Sequence, residues 1–195
     1  NPFSLRDKFS NLDYTLLFSI LLLGGISILA QFSSSGGEFD YHSKSHALRF
    51  SVFFFFFLAV SFTQIRFWSD YSLLIFIFLI LLLIVVKFYG IQSQGSKRWI
   101  NLFIFNLQPS ELMKVAIILI LSNHYHKVSS SDINKLKYLF FPMLILVVPF
   151  MLVLTQPDLG TAILILLSGI VVIWLAGVQW KIFAYLSGFS VILAP

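Results

Sequence analysis

Lys97, Arg98, Glu111, Lys114 and Asp158 stand beside stretches that otherwise suit lipid. They fall in short motifs: GSKRW at residues 95–99, LQPSELMK at 107–114 and TQPDLGT at 155–161. An ionised group at the edge of hydrocarbon is expensive to keep unless it is paired or serves a ligand. Bases at such a rim suit phosphate or another anion. Acids beside them either position those bases or hold a divalent cation.

The spacing says how these groups are presented. Pro109 fits the first turn of a helix, where its missing N–H is no loss, and Glu111 complements the positive end of the helix dipole. Gln108, Glu111 and Lys114 then project from neighbouring parts of one helical surface. In the second motif the same Gln-Pro-acid order returns as Gln156, Pro157 and Asp158, with Gly160 allowing close backbone approach. Each residue also has a plainer use. Glu111 and Lys114 can neutralise each other as an i,i+3 pair, and Asp158 can cap the helix that follows it. Lys97 and Arg98 can be solvated loop charges, and Trp99 can be an interfacial belt residue instead of a substrate platform. His124 and His126, two apart, would not share a helix face, which argues against a metal site there. The run Phe53 to Phe57 reads as lipid-facing or packing bulk, and Gly24 with Gly25 as a close helix contact.

The elements that must position these side chains follow from composition. Of 195 residues, 58% are hydrophobic and 11% charged, and the mean hydropathy is +0.93. A soluble core cannot hide so much Leu, Ile and Phe, so the chain reads as an all-α, polytopic membrane protein. Six spans are predicted, roughly Tyr14 to Gln31, Leu48 to Ile65, Tyr71 to Tyr89, Pro109 to Asn123, Tyr138 to Thr155 and Gly160 to Gly177. A seventh begins near Ile182 and is still apolar at Pro195, where the sequence looks cut. No connection is long enough for a soluble domain, so 1–195 reads as one transmembrane domain, incomplete at its C-terminus. No cleavable signal pattern precedes the first span. There is no cysteine, hence no disulfide or thiolate metal site. The net charge of +5 is scattered among short loops and forms no stripe or tail, which excludes nucleic acid as the partner.

Alternation places the 95–108 connection and the TQPDLGT turn on the same face. Seven Lys and Arg lie on the side holding the N-terminus and five on the other, with Lys114 left over at the start of the fourth span, so a cytoplasmic N-terminus is predicted. The bases on the outer side then need a reason of their own, and an anionic ligand is one.

In this order and spacing, GSKRW, QPSELMK and QPDLGT resemble the SEDS family of shape, elongation, division and sporulation membrane proteins. The likeness covers nearly the whole chain, from LDYTLL at Leu12 onward. The short GxxRW loop and the QPSELMK helix look most like the rod-shape branch, while QPSE and QPDLGT are shared with the division branch.

The resemblance implies a peptidoglycan glycosyltransferase with about ten spans, acting on lipid II in the bacterial cytoplasmic membrane during elongation. A sugar hydroxyl attacks an anomeric carbon and undecaprenyl diphosphate leaves, which requires a proton acceptor and positive charge for the leaving group. Lys97, Arg98, Trp99, Gln108, Glu111, Lys114, Gln156 and Asp158 become the expected substrate-binding residues. A divalent cation is the one cofactor such a cluster would accommodate. The aspartate that takes the proton is expected in an outer loop after span seven, beyond Pro195, so this stretch alone is not expected to polymerise glycan. Implied partners are a class B penicillin-binding protein and other elongation-complex membrane proteins. Three other functions fit a membrane bundle. A lipid flippase would need a cavity reaching both faces, and a secondary transporter would need a longer internal repeat than the Gln-Pro-acid echo. A recruiting scaffold would tolerate loss of the five charges.

Overall fold

The computed structural model describes residues 10, 12–93, 96–102, 105–179 and 182, which form two compact units. The first unit is a helical hairpin of α1, Tyr14–Ser34, and α2, Tyr41–Ser61. Aspartates start both helices: the Asp13 carboxylate accepts from the Leu16 amide at 3.0 Å and Asp40 from the Ser43 amide at 2.8 Å. Across the hairpin, Ser27 Oγ and His46 Nε2 share a hydrogen bond of 2.8 Å. Gly24 lies against the Phe50 ring, so the close contact expected of the Gly24-Gly25 pair is made by Gly24 alone. Within Phe53 to Phe57, Phe53, Phe55 and Phe56 face outward.

The second unit holds α3, Ile65–Asp70; α4, Ser72–Tyr89; α5, Pro109–His126; α6, Leu136–Leu154; and α7, Leu159–Leu175. Between α4 and α5 run three short antiparallel strands in the order β1-β2-β3: β1, Ile91–Ser93, β2, Ser96–Asn101, and β3, Asn106–Leu107. The buried positions of α5 recur as Met113, Ala116, Ile117, Ile120 and Leu121, the three-and-four spacing of one helical face. That face belongs to one buried cluster with Leu83 of α4, Ile145 and Val153 of α6, and Ile165 and Ile173 of α7. Lipid tails are as apolar as these side chains, so van der Waals fit between helices, and not escape from water, holds such a core together. The close approach of α6 and α7 depends on Gly169, where a Cβ would strike Leu146.

α6 contains Pro142 and Pro149, both buried. A proline cannot donate to the carbonyl four residues earlier, so Pro142 releases the Tyr138 carbonyl. His124 Nε2 lies 3.2 Å from that oxygen. A carbonyl only accepts, so the ring carries its proton on Nε2.

The structure corrects several boundaries. The second span starts at Tyr41 and not Leu48, because the Asp40 cap begins the helix while Lys44 and Arg49 lie within it. A separate short helix, α3, occupies Ile65–Asp70 where a bare connection was expected. Among the described residues four helices, α1, α2, α4 and α6, are by themselves long and apolar enough to cross a membrane, and α7 is apolar but has only 17 residues. α5 falls outside that group because both its ends are polar; its apolar middle is buried by neighbouring helices. Chain and fold together describe a multi-pass membrane protein. The predicted seventh span lies outside the described residues except for Ile182.

Candidate functional site

The short sheet decides which of the two adjacent bases turns inward. Successive side chains of a strand point to opposite sides, so Lys97 and Arg98 of β2 must diverge. Lys97 is exposed and its Nζ lies 3.4 Å from the Phe88 carbonyl, in the last turn of α4, where a cation offsets the negative helix end. Arg98 turns toward the start of α7. Its Nη2 donates to the Pro157 carbonyl at 3.0 Å and its Nη1 stands 3.4 Å from Asp158 Oδ2.

Asp158 is buried and has three partners. Its Oδ1 accepts from the Thr161 amide at 3.2 Å, capping α7, while Oδ2 takes the Arg98 contact and a 3.0 Å bond from Gln108 Nε2. The capping use and the ion-pair use of this carboxylate thus coexist. Gln108 immediately precedes α5, whose first residue is Pro109, so one carboxylate ties the strand β2 and the beginnings of α5 and α7 together.

Gln156 turns inward, where its Nε2 donates to the Leu83 carbonyl at 3.0 Å. This anchors the TQPDLGT turn to the middle of α4. Arg98 retains an unspent donor: its Nε is buried with no acceptor among the described residues.

Glu111 and Lys114 form a separate pair, 2.9 Å between Nζ and Oε2, on the exposed side of the first turns of α5. Trp99 is partly buried and sits across from Ile91 in the sheet. Two sizeable cavities among the described residues, about 640 and 470 Å³, lie at the other end of α5 and include none of these side chains. The structure therefore gathers Arg98, Gln108 and Asp158 into one network with Gln156 buried beside it in the chain, and sets Lys97 and the Glu111–Lys114 pair apart from it. Two participants escape sequence reasoning, the carbonyls of Pro157 and Leu83, because a backbone acceptor leaves no mark in residue type.

The described residues contain no group of three or more His, Asp or Glu placed to share a metal, and each carboxylate of the region is already matched by one base.

The profile of the FtsW/RodA/SpoVE cell cycle proteins matches residues 10–194. The chain belongs to that family. These are the SEDS proteins of the motif resemblance. Among its FtsW/RodA/SpoVE relatives, the chain is 34% identical over 152 residues to a probable peptidoglycan glycosyltransferase FtsW of Buchnera aphidicola from Schizaphis graminum, covering 75% of this chain and 43% of the relative. It is 31% identical over 176 residues to the peptidoglycan glycosyltransferase MrdB of Escherichia coli K12, covering 88% and 46%. The chain spans about half the length of the curated relatives it matches. The crystal structure of the rod shape determining protein RodA of Thermus thermophilus has the same fold, with a TM-score of 0.75, 20% identity, and coverage of 94% of this chain and 60% of that one.

Proposed function

We propose that the chain forms part of a SEDS-type peptidoglycan glycosyltransferase that polymerises lipid II into glycan strands during cell elongation. The observation that carries this reading is Arg98, a base fixed at the rim by Asp158 and Pro157 while its side chain stays partly exposed. Departure of a lipid diphosphate builds negative charge on its phosphate oxygens, and a fixed guanidinium stabilises that charge without having to reorganise. Asp158 is then a positioning residue. Its carboxylate is occupied by three donors, which leaves it poorly suited to take a proton from an attacking hydroxyl. Gln108 and Gln156 hold the two Gln-Pro turns in register, while the exposed Lys97 and Glu111 and the partly buried Lys114 and Trp99 form the approach.

In the same reading the chain lies in the bacterial cytoplasmic membrane with its N-terminus in the cytoplasm, supported by the bias of Lys and Arg. The resemblance supports a class B penicillin-binding protein as partner, because linear strands bear load only once cross-linked, with other elongation-complex membrane proteins beside it.

The test is glycan polymerisation from lipid II by the complete protein carrying Arg98→Ala, Arg98→Lys or Asp158→Asn. Removing the guanidinium is expected to lower turnover by at least about a hundredfold, the scale of losing one fixed charge stabiliser. Unchanged polymerisation by Arg98→Ala would overturn the proposal and favour a scaffold.

A further inference from the structure

At the end of α5 opposite the Gln-Pro turns, a groove of about 640 Å³ runs between α3 and α5. Its lining includes the apolar Ile65, Ile118 and Leu119 and the polar Arg66, Asp70, His126 and Lys127. The wall is fixed in place, because Asn123 Nδ2 donates to the Ser69 carbonyl at 2.9 Å and to Ser72 Oγ at 3.0 Å. Neither Arg66, Lys127 nor Asp70 has an ion-pair partner among the described residues.

Lys127 follows the last residue of α5 and has an ordinary duty there, offsetting the negative end of the helix dipole. Arg66 has the opposite relation to its own helix: it stands in the first turn of α3, where a cation is disfavoured. An anion from outside the chain would satisfy both bases. The apolar wall runs out to Ile118, which is exposed on the flank of α5. The occupant must therefore join an anionic head to an apolar tail. The chain's own N-terminal residues carry the wrong sign, with Arg6 and Lys8 against Asp7.

We propose that this groove binds the phosphate head group of an anionic phospholipid, with an acyl chain lying along Ile118. Basic pockets between spans at a membrane face hold lipid phosphates by this combination of charge and contact. The site is remote from Arg98 and Asp158 and does not depend on the glycosyltransferase reading.

The full-length protein, delipidated in detergent, is titrated with dioleoyl phosphatidylglycerol, dioleoyl phosphatidylethanolamine or undecaprenyl phosphate, and bound lipid is counted by native mass spectrometry. Phosphatidylglycerol is expected to bind in preference to phosphatidylethanolamine. Arg66→Gln and Lys127→Gln are each expected to weaken it about fivefold. Asp70→Asn is expected to strengthen it by a similar factor, a gain that misfolding cannot mimic. Equal binding of both phospholipids, or affinities untouched by all three substitutions, would overturn the proposal. So would a preference for undecaprenyl phosphate with the same dependence on Arg66, since the occupant would then be a polyprenyl lipid.

Discussion

Arg98 grips the start of α7 at two consecutive residues, with Nη1 3.4 Å from the Asp158 carboxylate and Nη2 3.0 Å from the Pro157 carbonyl. A carboxylate that also caps a helix and accepts from Gln108 is costly to delete. Asp158→Ala is expected to destabilise the protein by about 2 kcal/mol, combining a lost cap with donors left unpaired. Asp158→Asn keeps a capping oxygen and is expected to cost about half as much. Thermal unfolding in detergent checks the order, with Ala below Asn below the parent.

The bond from Gln156 to the Leu83 carbonyl makes a sharper case, because both partners are buried. Gln156→Leu leaves that carbonyl with only the bond from its own helix, and a loss of about 1 kcal/mol, the net worth of one hydrogen bond, is expected. Slow amide exchange in the last turns of α4 is expected to accelerate at the same time. A Tm equal to the parent's would show that the bond carries no net stability.

Glu111 and Lys114 lead to the opposite expectation. Their pair is exposed, and such i,i+3 pairs contribute only about 0.5 kcal/mol or less. Glu111→Gln and Lys114→Gln should leave the unfolding midpoint nearly unchanged. Any large loss of glycan synthesis in the complete protein would then report on substrate, with an effect on KM separable from one on kcat.

Gly169 tests the packing that brings α6 against α7. Gly169→Ala drives a methyl into Leu146, which is itself buried, and is expected to cost about 1–3 kcal/mol despite the better helix propensity of alanine. Adding Leu146→Val should recover part of the loss, and the double-mutant cycle should show coupling between the two sites.

Two carboxylates in the connections make the fold sensitive to acid. Bonding to the amide and hydroxyl of Ser43 holds Asp40 down to about 2, and the side chain of Lys135 lowers Asp132. Both groups ionise more readily in the folded chain, so their contribution is complete above the ordinary carboxylate value of about 3.8 and fades as pH falls toward 2. Lys135 is raised by the same partner, so its share is complete below its ordinary value and is lost at strongly alkaline pH. Asp40→Asn should flatten the acid limb between pH 4 and about 2, read as helicity of the α1–α2 hairpin by circular dichroism.

The sequence reveals some of these features and hides others for identifiable reasons. Pro109 and Asp158 announce helix starts, because a first-turn proline and a capping carboxylate are local signals. The first turn of α2 stays hidden, since Lys44 ends an apolar window without ending a helix. The strands of 91–107 are too short for alternation to stand out, and with them goes the choice between Lys97 and Arg98, which depends on strand direction alone. The meeting of Gln108 with Asp158 joins residues fifty positions apart, which no local pattern encodes.

Pro142 opens a gap in the backbone ladder of α6, and the Nε2 of His124 occupies it from the next helix. A rung missing from one helix thus becomes a latch for another, located by the imino acid that removed it. Restoring the rung with Pro142→Ala would give that oxygen a second donor, from within its own helix, beside the imidazole. The irregularity itself sets the seam between these two helices.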